Sequence, residues 1–218
     1  MGRMYQDITA IILSGGKSTR MGENKSFLKI GDITVIEHIV ELLKSIFSDI
    51  IIITNEPELY EFLNVRLFSD IYKNAGPLAG IHSGLINSAS EKNFIISCDI
   101  PLMTAEMIKS IVDYPSDKLI TIPKADGFVQ ELCGIYSKSL IPVIEKIISD
   151  VQSVESRNSE QTKRQCKIHQ LINSIPVTII EKPEILSGYK ENLFLNMNNP
   201  DDYELIKGML QVNNSGVV

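Results

Sequence analysis

Short apolar runs alternate with stretches of helical spacing through the first half of the chain. Residues 8–13 form one such run, closed by Ser14-Gly15-Gly16, as expected of a buried strand that ends in a turn. Ile36, Ile39, Val40 and Leu43 then recur at helical spacing, and Thr34 with Glu37 supplies a capping box ahead of them. Residues 50–53 and 65–68 predict two further strands, with Pro57 opening a short helix between them. Gly76-Pro77 precedes a helix with Leu78, Ile81 and Leu85 on one face. Residues 93–97 read as a fourth strand, and Thr104 caps a helix that turns Met107, Ile108 and Ile111 inward. Strands apolar on both faces, alternating with helices, predict an α/β fold: a mostly parallel sheet with helices on both faces. In such sheets ligands bind beyond the carboxyl ends of the strands. Ser14, Asn55, Asp70 and Asp99 each follow a predicted strand end.

The second half is less regular. Residues 119–122 and 132–136 read as strands and 140–148 as a helix. Residues 150–167 are polar and mixed in charge, which predicts an exposed insertion, a loop or a helix end. Ile168, Leu171, Ile172 and Ile175 regain helical spacing, and 177–180 and 193–195 are strand candidates. A last helix is expected from about Asp201, and residues 213–218 are expected to fray. No repeat or low-complexity segment breaks the chain, so residues 1–218 are read as a single domain.

Composition narrows the class. With 44% hydrophobic and 22% charged residues, the chain of 218 residues is ordinary for a globular protein with its own core. No apolar run approaches the ~20 residues that span a membrane, and no signal-peptide pattern opens the chain, so a cytoplasmic protein without membrane contact is expected. A net charge of −6 argues against bulk nucleic-acid binding. The charge is uneven, however: residues 1–29 hold Arg3, Lys17, Arg20, Lys25 and Lys29 against only Asp7 and Glu23. A small basic island on an acidic body suits a small anionic ligand. Cys98, Cys133 and Cys166 form no CxxC pair and have no histidine at metal-ligand spacing, as reduced thiols would. His38, His82 and His169 are scattered, His82 reading as packing or surface, and no Ser/His/Asp or Cys/His arrangement suggests a covalent intermediate. Lys163, Arg164 and Lys167 read as a solvated face, the alternative being contact with the phosphate of an anionic second substrate.

The densest chemistry runs from Leu13 through Lys25, L-S-G-G-K-S-T-R-M-G-E-N-K. Its glycines let the backbone approach a ligand and aim N–H groups at it, and Lys17, Arg20 and Lys25 add donors suited to phosphate oxygens. It is not a P-loop, because Ile11 stands where the first glycine would be, and Gly16-Lys17 breaks the G-x-G-x-x-G pattern.

This loop resembles the signature of nucleotidyltransferases built on a glycosyltransferase-A-like α/β fold, and most of all that of the molybdenum cofactor guanylyltransferases. Gly76-Pro77-Leu78-Ala79-Gly80, Ser97-Cys98-Asp99-Ile100-Pro101 and Asn196-Met197-Asn198-Asn199-Pro200-Asp201 agree with that family in order and spacing. The resemblance implies transfer of GMP from GTP to the terminal phosphate of the molybdenum-molybdopterin cofactor, releasing pyrophosphate, with Mg²⁺ as cofactor. It implies GTP and the molybdopterin cofactor as partners, and transient contact with other cofactor-biosynthesis or acceptor proteins. By the same resemblance, Leu13, Ser14, Gly15, Gly16, Lys25, Asn55, Asp70 and Asp99 bind the nucleotide. Arg20, Lys25 and Asp99 are the catalytic candidates, Asp99 also the metal ligand, and Gly80, Asn196 and Asn198 are second-substrate candidates. Three positions depart from the family pattern: Ser14 replaces an alanine, Asn24 an aspartate and Asn199 a threonine. The small Ser14 is expected to be harmless, whereas Asn24 removes a negative charge beside the phosphates.

Read without the family, Asp99 is a carboxylate at the ligand edge, suited to Mg²⁺ near phosphates, or a cap for the turn before Pro101. Asn55 and Asp70 also suit ordinary loops after strands. Asn199 to Asp202 make a helix start, but Asn196 and Asn198 in alternation would share one face of an extended segment. A cytidylyltransferase acting on molybdopterin or a sugar-like phosphate, and a non-catalytic nucleotide-binding regulatory domain, remain the alternatives.

Overall fold

Alternation within the apolar runs decides which face of the sheet each residue serves. The computed structural model describes residues 4–15, 24–73, 75–155 and 168–215. The first half contains β1 (Tyr5–Leu13), β2 (Lys29–Ile30), β3 (Ile33–Thr34), α1 (Val35–Lys44), β4 (Phe47–Ile53), β5 (Arg66–Phe68), α2 (Gly76–Asn87), β6 (Lys92–Ser97) and α3 (Ala105–Val112). The second half adds β7 (Ile120–Ala125), β8 (Phe128–Val129), β9 (Cys133–Ser137), α4 (Ile141–Glu155), α5 (Ile168–Ser174), β10 (Thr178–Ile180) and α6 (Pro200–Ser215). The main sheet has the order β10-β7-β9-β6-β1-β4-β5, with β8 paired to β7. Pairings β1–β4, β1–β6, β4–β5 and β7–β10 are parallel, and β9 runs antiparallel to both β6 and β7. This is the mostly parallel α/β sheet that the sequence predicts.

Period-two placement splits the strands between two cores. Ala10 and Ile12 of β1, Ile50 and Ile52 of β4 and Phe94 and Ile96 of β6 face α1 and α3. Ile11, Leu13, Ile51, Ile53 and Ile95 face α2, α4 and α5. The Thr34–Glu37 capping box forms, with Thr34 N–H donating to Glu37 at 2.7 Å, and Thr104 caps α3 through the Met107 N–H. No described helix is long and apolar enough to cross a membrane.

Several local expectations change. Residues 193–195 are not a strand: Leu193 and Phe194 are both buried, and backbone bonds from Leu193 N–H to Lys190 and from Leu195 N–H to Asn192 close a turn. Both enter the same core, whereas consecutive side chains of a strand point to opposite faces. Residues 150–155 are the last turns of α4, the helix-end alternative for that segment, and α6 extends through 213–215, while 156–167 and 216–218 lie outside the described residues. The segment opened by Pro57 is a 3-10 helix, Pro57–Leu63, ended by Asn64 in the left-handed region. A short β2–β3 hairpin is added, turned by Gly31-Asp32 between Ile30 and Ile33, with Gly31 at φ 66°.

Gly134 sits in β9 between two strands. A Cβ there would collide with the Thr121 carbonyl oxygen and lie 2.6 Å from the Ile122 side chain. Gly134→Ala is therefore expected to destabilise the protein by about 1–3 kcal/mol through overpacking. Urea unfolding followed by circular dichroism would show the loss as a lower midpoint with an unchanged slope.

Candidate active site

Four parallel strands end level with one another. Leu13 of β1 pairs with Ile53 of β4 and with Ser97 of β6, and Ile53 pairs with Phe68 of β5. The backbone continues the alignment beyond them: Ser14 N–H donates to the Ile53 carbonyl at 3.0 Å and Cys98 N–H to that of Leu13 at 3.2 Å. The residues that follow each strand therefore emerge at one edge of the sheet.

A cavity of about 320 Å³ opens there, lined by Leu13, Gly15, Ile53, Thr54, Asn55, Asp70, Gly76, Pro77, Gly80, Ser97 and Leu132. At its rim Asn55 Nδ2 donates to Asp70 Oδ2 at 2.7 Å, and Asn55 Oδ1 accepts from Lys73 Nζ at 2.9 Å. Those two bonds fix which way the Asn55 amide points. The first turn of α2 abuts the cavity without a side-chain cap, and a Cβ on Gly80 would come within 3.3 Å of Leu13 and 3.8 Å of Asp70 Oδ1. Gly80 thus lines the same cavity as the nucleotide candidates, whereas Asn196 and Asn198 are not among its lining residues.

Lys25 joins three of the sequence blocks. Its Nζ donates to Asn198 Oδ1 at 3.1 Å and lies 4.0 Å from Asp99 Oδ2. The Asn198 segment is tied to the Asp99 segment by Met197 N–H donating to the Asp99 carbonyl at 2.8 Å. Met197 is fully buried while Asn196 and Asn198 are more exposed, so the asparagines alternate with a core residue. Asn196 Nδ2 makes a long bond, 3.4 Å, to the Phe194 carbonyl. Asn199 caps α6 by accepting from Asp202 N–H, and Asp202 in turn accepts from the N–H groups of Asn198 and Asn199. Gly16, Lys17 and Arg20 lie outside the described residues, as do Lys163, Arg164, Lys167 and Cys166.

Behind Lys25 is a buried cluster that the sequence did not reveal. Ser14 Oγ lies 2.7 Å from Ser26 Oγ and 2.9 Å from the Tyr60 hydroxyl. Asn24 Nδ2 reaches Tyr60 at 3.4 Å, and Asn24 Oδ1 accepts from Ser26 N–H, capping the Lys25–Phe27 turn. Ser26 Oγ stands 3.4 Å from Cys98 Sγ. The expectation that Ser14 is merely small thus omits its hydroxyl. Burial, and next the Asp99 charge, push the Cys98 thiol up, and burial pushes Cys133 up to about 12. Both are free thiols kept protonated at neutral pH, unsuited to nucleophilic attack.

Four strand ends, a cavity with an amide–carboxylate pair and a lysine facing an aspartate thus share one edge of the sheet. Residues 10–164 match the family model of the MobA-like NTP transferase domain, and the chain belongs to that family. It is 37% identical over 202 residues to a probable molybdenum cofactor guanylyltransferase of Carboxydothermus hydrogenoformans, covering 91% of this chain and 94% of the relative. A probable molybdenum cofactor guanylyltransferase of Clostridium perfringens is 35% identical over 204 residues, covering 91% and 96%. The crystal structure of molybdopterin-guanine dinucleotide biosynthesis protein A from Archaeoglobus fulgidus shares the fold. It superposes with a TM-score of 0.77 at 20% identity, covering 94% of this chain and all of that one.

The Asp99 loop is also held from behind. His38 of α1 lies with Nε2 3.1 Å from the Pro101 carbonyl oxygen, the geometry of a donated N–H. Burial lowers the His38 pKa from 6.5, outweighing that hydrogen bond and the Glu41 charge, which raise it. Below pH 6.5 the unfolded chain therefore binds a proton that the folded chain refuses, so stability is full above that pH and falls as pH drops through the window below it. The wild type should lose more stability than His38→Gln between pH 6.5 and the lowered His38 pKa. Thermal melts of both proteins across pH 5 to 7 would show this as a steeper Tm slope in the wild type.

Proposed function

We propose that the protein transfers GMP from GTP to the terminal phosphate of the molybdenum-molybdopterin cofactor, forming the guanine dinucleotide cofactor and releasing pyrophosphate. The observation that carries this reading is the meeting of Lys25, Asp99 and Asn198 at the strand edge that also forms the Asn55–Asp70 cavity. The names of its full-length relatives support the same reaction.

Each group has a part. The backbone from Leu13 to Gly16 approaches the nucleotide, and Asp70, with Asn55 beside it, accepts from the ring N–H and amino group of guanine. Cytosine does not offer that pair of adjacent donors. Arg20 and Lys25 hold the triphosphate. An oxygen of the acceptor phosphate attacks the α-phosphorus of GTP in line, and the bond from that phosphorus to its β-bridging oxygen breaks. Pyrophosphate leaves with the electron pair. The attacking oxygen is already anionic, so no base has to remove a proton. Lys25 offsets charge gathering on the departing oxygens, while Asn196 and Asn198 orient the acceptor.

Asp99 is the residue that would hold Mg²⁺. No group of three or more His, Cys, Asp or Glu residues able to enclose a metal occurs among the described residues. Mg²⁺ takes one or two carboxylates and completes its shell with water and substrate phosphates, so the one Asp99 carboxylate, at the edge beside Lys25, suits it. Mg²⁺ bound there would draw electron density from the α-phosphate.

Incubation with the molybdopterin cofactor, Mg²⁺ and each nucleoside triphosphate in turn is expected to release pyrophosphate with GTP. Release with CTP alone would mark a cytidylyltransferase, and none with any triphosphate a regulatory domain. Asp99→Asn keeps the side-chain size but removes the charge, and at limiting Mg²⁺ turnover should fall at least about tenfold, since charge-assisted contacts are worth ~1.5–3 kcal/mol. Pyrophosphate release at the wild-type rate would remove Asp99 from the metal site.

Base choice gives a separate check. Asp70→Asn puts a donor where guanine needs an acceptor, and the preference for GTP over ATP and CTP should erode about tenfold or more. Competition assays measure this directly, and an unchanged preference would assign selectivity to the backbone after Leu13.

A further inference from the structure

The buried hydroxyls behind Lys25 form a continuous chain of contacts. Asn24 Oδ1 accepts from the Ser26 N–H, so the Asn24 amide nitrogen is the atom that faces Tyr60 and donates to its hydroxyl oxygen. Asn24 cannot accept the Tyr60 proton, so that proton goes to Ser14, and the contacts continue from Ser14 to Ser26 and from Ser26 to Cys98 Sγ. Tyr60, Ser14 and Ser26 are each no more than 2% exposed, so none of the three hydroxyls is turned toward solvent.

Both chain neighbours of Lys25 belong to this network. Asn24 precedes it and Ser26 follows it, and the turn between them is a single 3-10 turn closed by two backbone bonds, Phe27 to Asn24 and Leu28 to Lys25. So short a turn is weakly self-supporting. The far end of the chain reaches Cys98, the residue before Asp99. One continuous set of hydrogen bonds thus connects Asn24 and Ser26, on both sides of Lys25, to the side chain of Cys98, which immediately precedes Asp99. The Tyr60 ring also packs on Phe27, with centroids 5.0 Å apart. That ring contact is independent of the hydroxyl.

We infer that Tyr60, acting through Ser14 and Ser26, is a positioning residue that holds the Lys25 turn against the Asp99 segment so that Lys25 meets the triphosphate. This rests on the reading of Lys25 as a triphosphate ligand. It also accounts for two departures from the family pattern together: Ser14 supplies the central hydroxyl, and Asn24 supplies an N–H that an aspartate would lack.

The test is a double-mutant cycle read by calorimetric binding of GTP and of guanosine. Tyr60→Phe keeps the ring on Phe27 and removes only the hydroxyl, leaving Ser14 short of a buried partner. It should weaken GTP about tenfold while guanosine, which lacks the phosphates, changes less than about twofold. In a Lys25→Ala background the same change should cost GTP less than about twofold, because the group being positioned is gone. Ser26→Ala should repeat the pattern and serves if Tyr60→Phe does not fold. Equal losses for GTP and guanosine, unchanged GTP affinity in Tyr60→Phe, or additive losses in the double variant would each overturn the inference. Should Lys25→Ala alone leave GTP binding intact, the reading of Lys25 itself fails, and the positioning role fails with it.

Discussion

The register between β1 and its two neighbours is the constraint on which the site depends. Leu13 lies opposite both Ile53 and Ser97, so three chains leave the sheet at the same height. A slip of one residue in either pairing would move Asn55 or Cys98-Asp99 by about 3.3 Å and turn each inward side chain to the wrong face. Such a slip is opposed by both cores at once, because Ile50 to Ile53 alternate between them and every one is buried. Chemistry at the edge is therefore held by packing well away from it.

Helix α2 shows the same coupling from above. A Cβ on Gly84 would lie 2.6 Å from the Ile11 side chain, so the helix rests directly on β1. That close approach brings Gly80 over Leu13 and sets the depth of the cavity. Gly76, at φ 62°, starts the helix from a left-handed backbone, which glycine adopts at little cost. Depth, entry angle and strand register thus come from one packed layer.

Much of this was legible in the sequence, for a physical reason. Residues 8–13, 50–53 and 93–97 are apolar on both faces, a pattern that only a covered strand can use, and Asn55, Asp70 and Asp99 stand out because polar groups follow directly. The contacts that assemble the site are of another kind. Lys25 finds Asn198 across 173 positions, and no local pattern announces a partner at that separation. Tyr60 looks like any tyrosine on a short helix, since its importance lies in a hydroxyl whose partners come from Ser14 and Asn24. Residues 193–195 misled for the opposite reason: an apolar triplet fits a strand and a buried turn equally well.

The reversed strand β9 has a different bearing. Because it runs against β6 and β7, its beginning faces the ligand edge, and Ser97 N–H bonds the Leu132 carbonyl at 2.9 Å while Leu132 lines the cavity. The chain reaches Leu132 from the tip of the β7–β8 hairpin, where Asp126 and Gly127 take left-handed conformations and Phe128 stands 74% exposed. One wall of the cleft is thus hung from a tight surface turn, whereas the opposite wall is tied to buried strand ends. Lengthening a surface turn costs little conformational entropy, so evolution or an engineer can rebuild that wall while leaving the Asn55–Asp70 side as it stands.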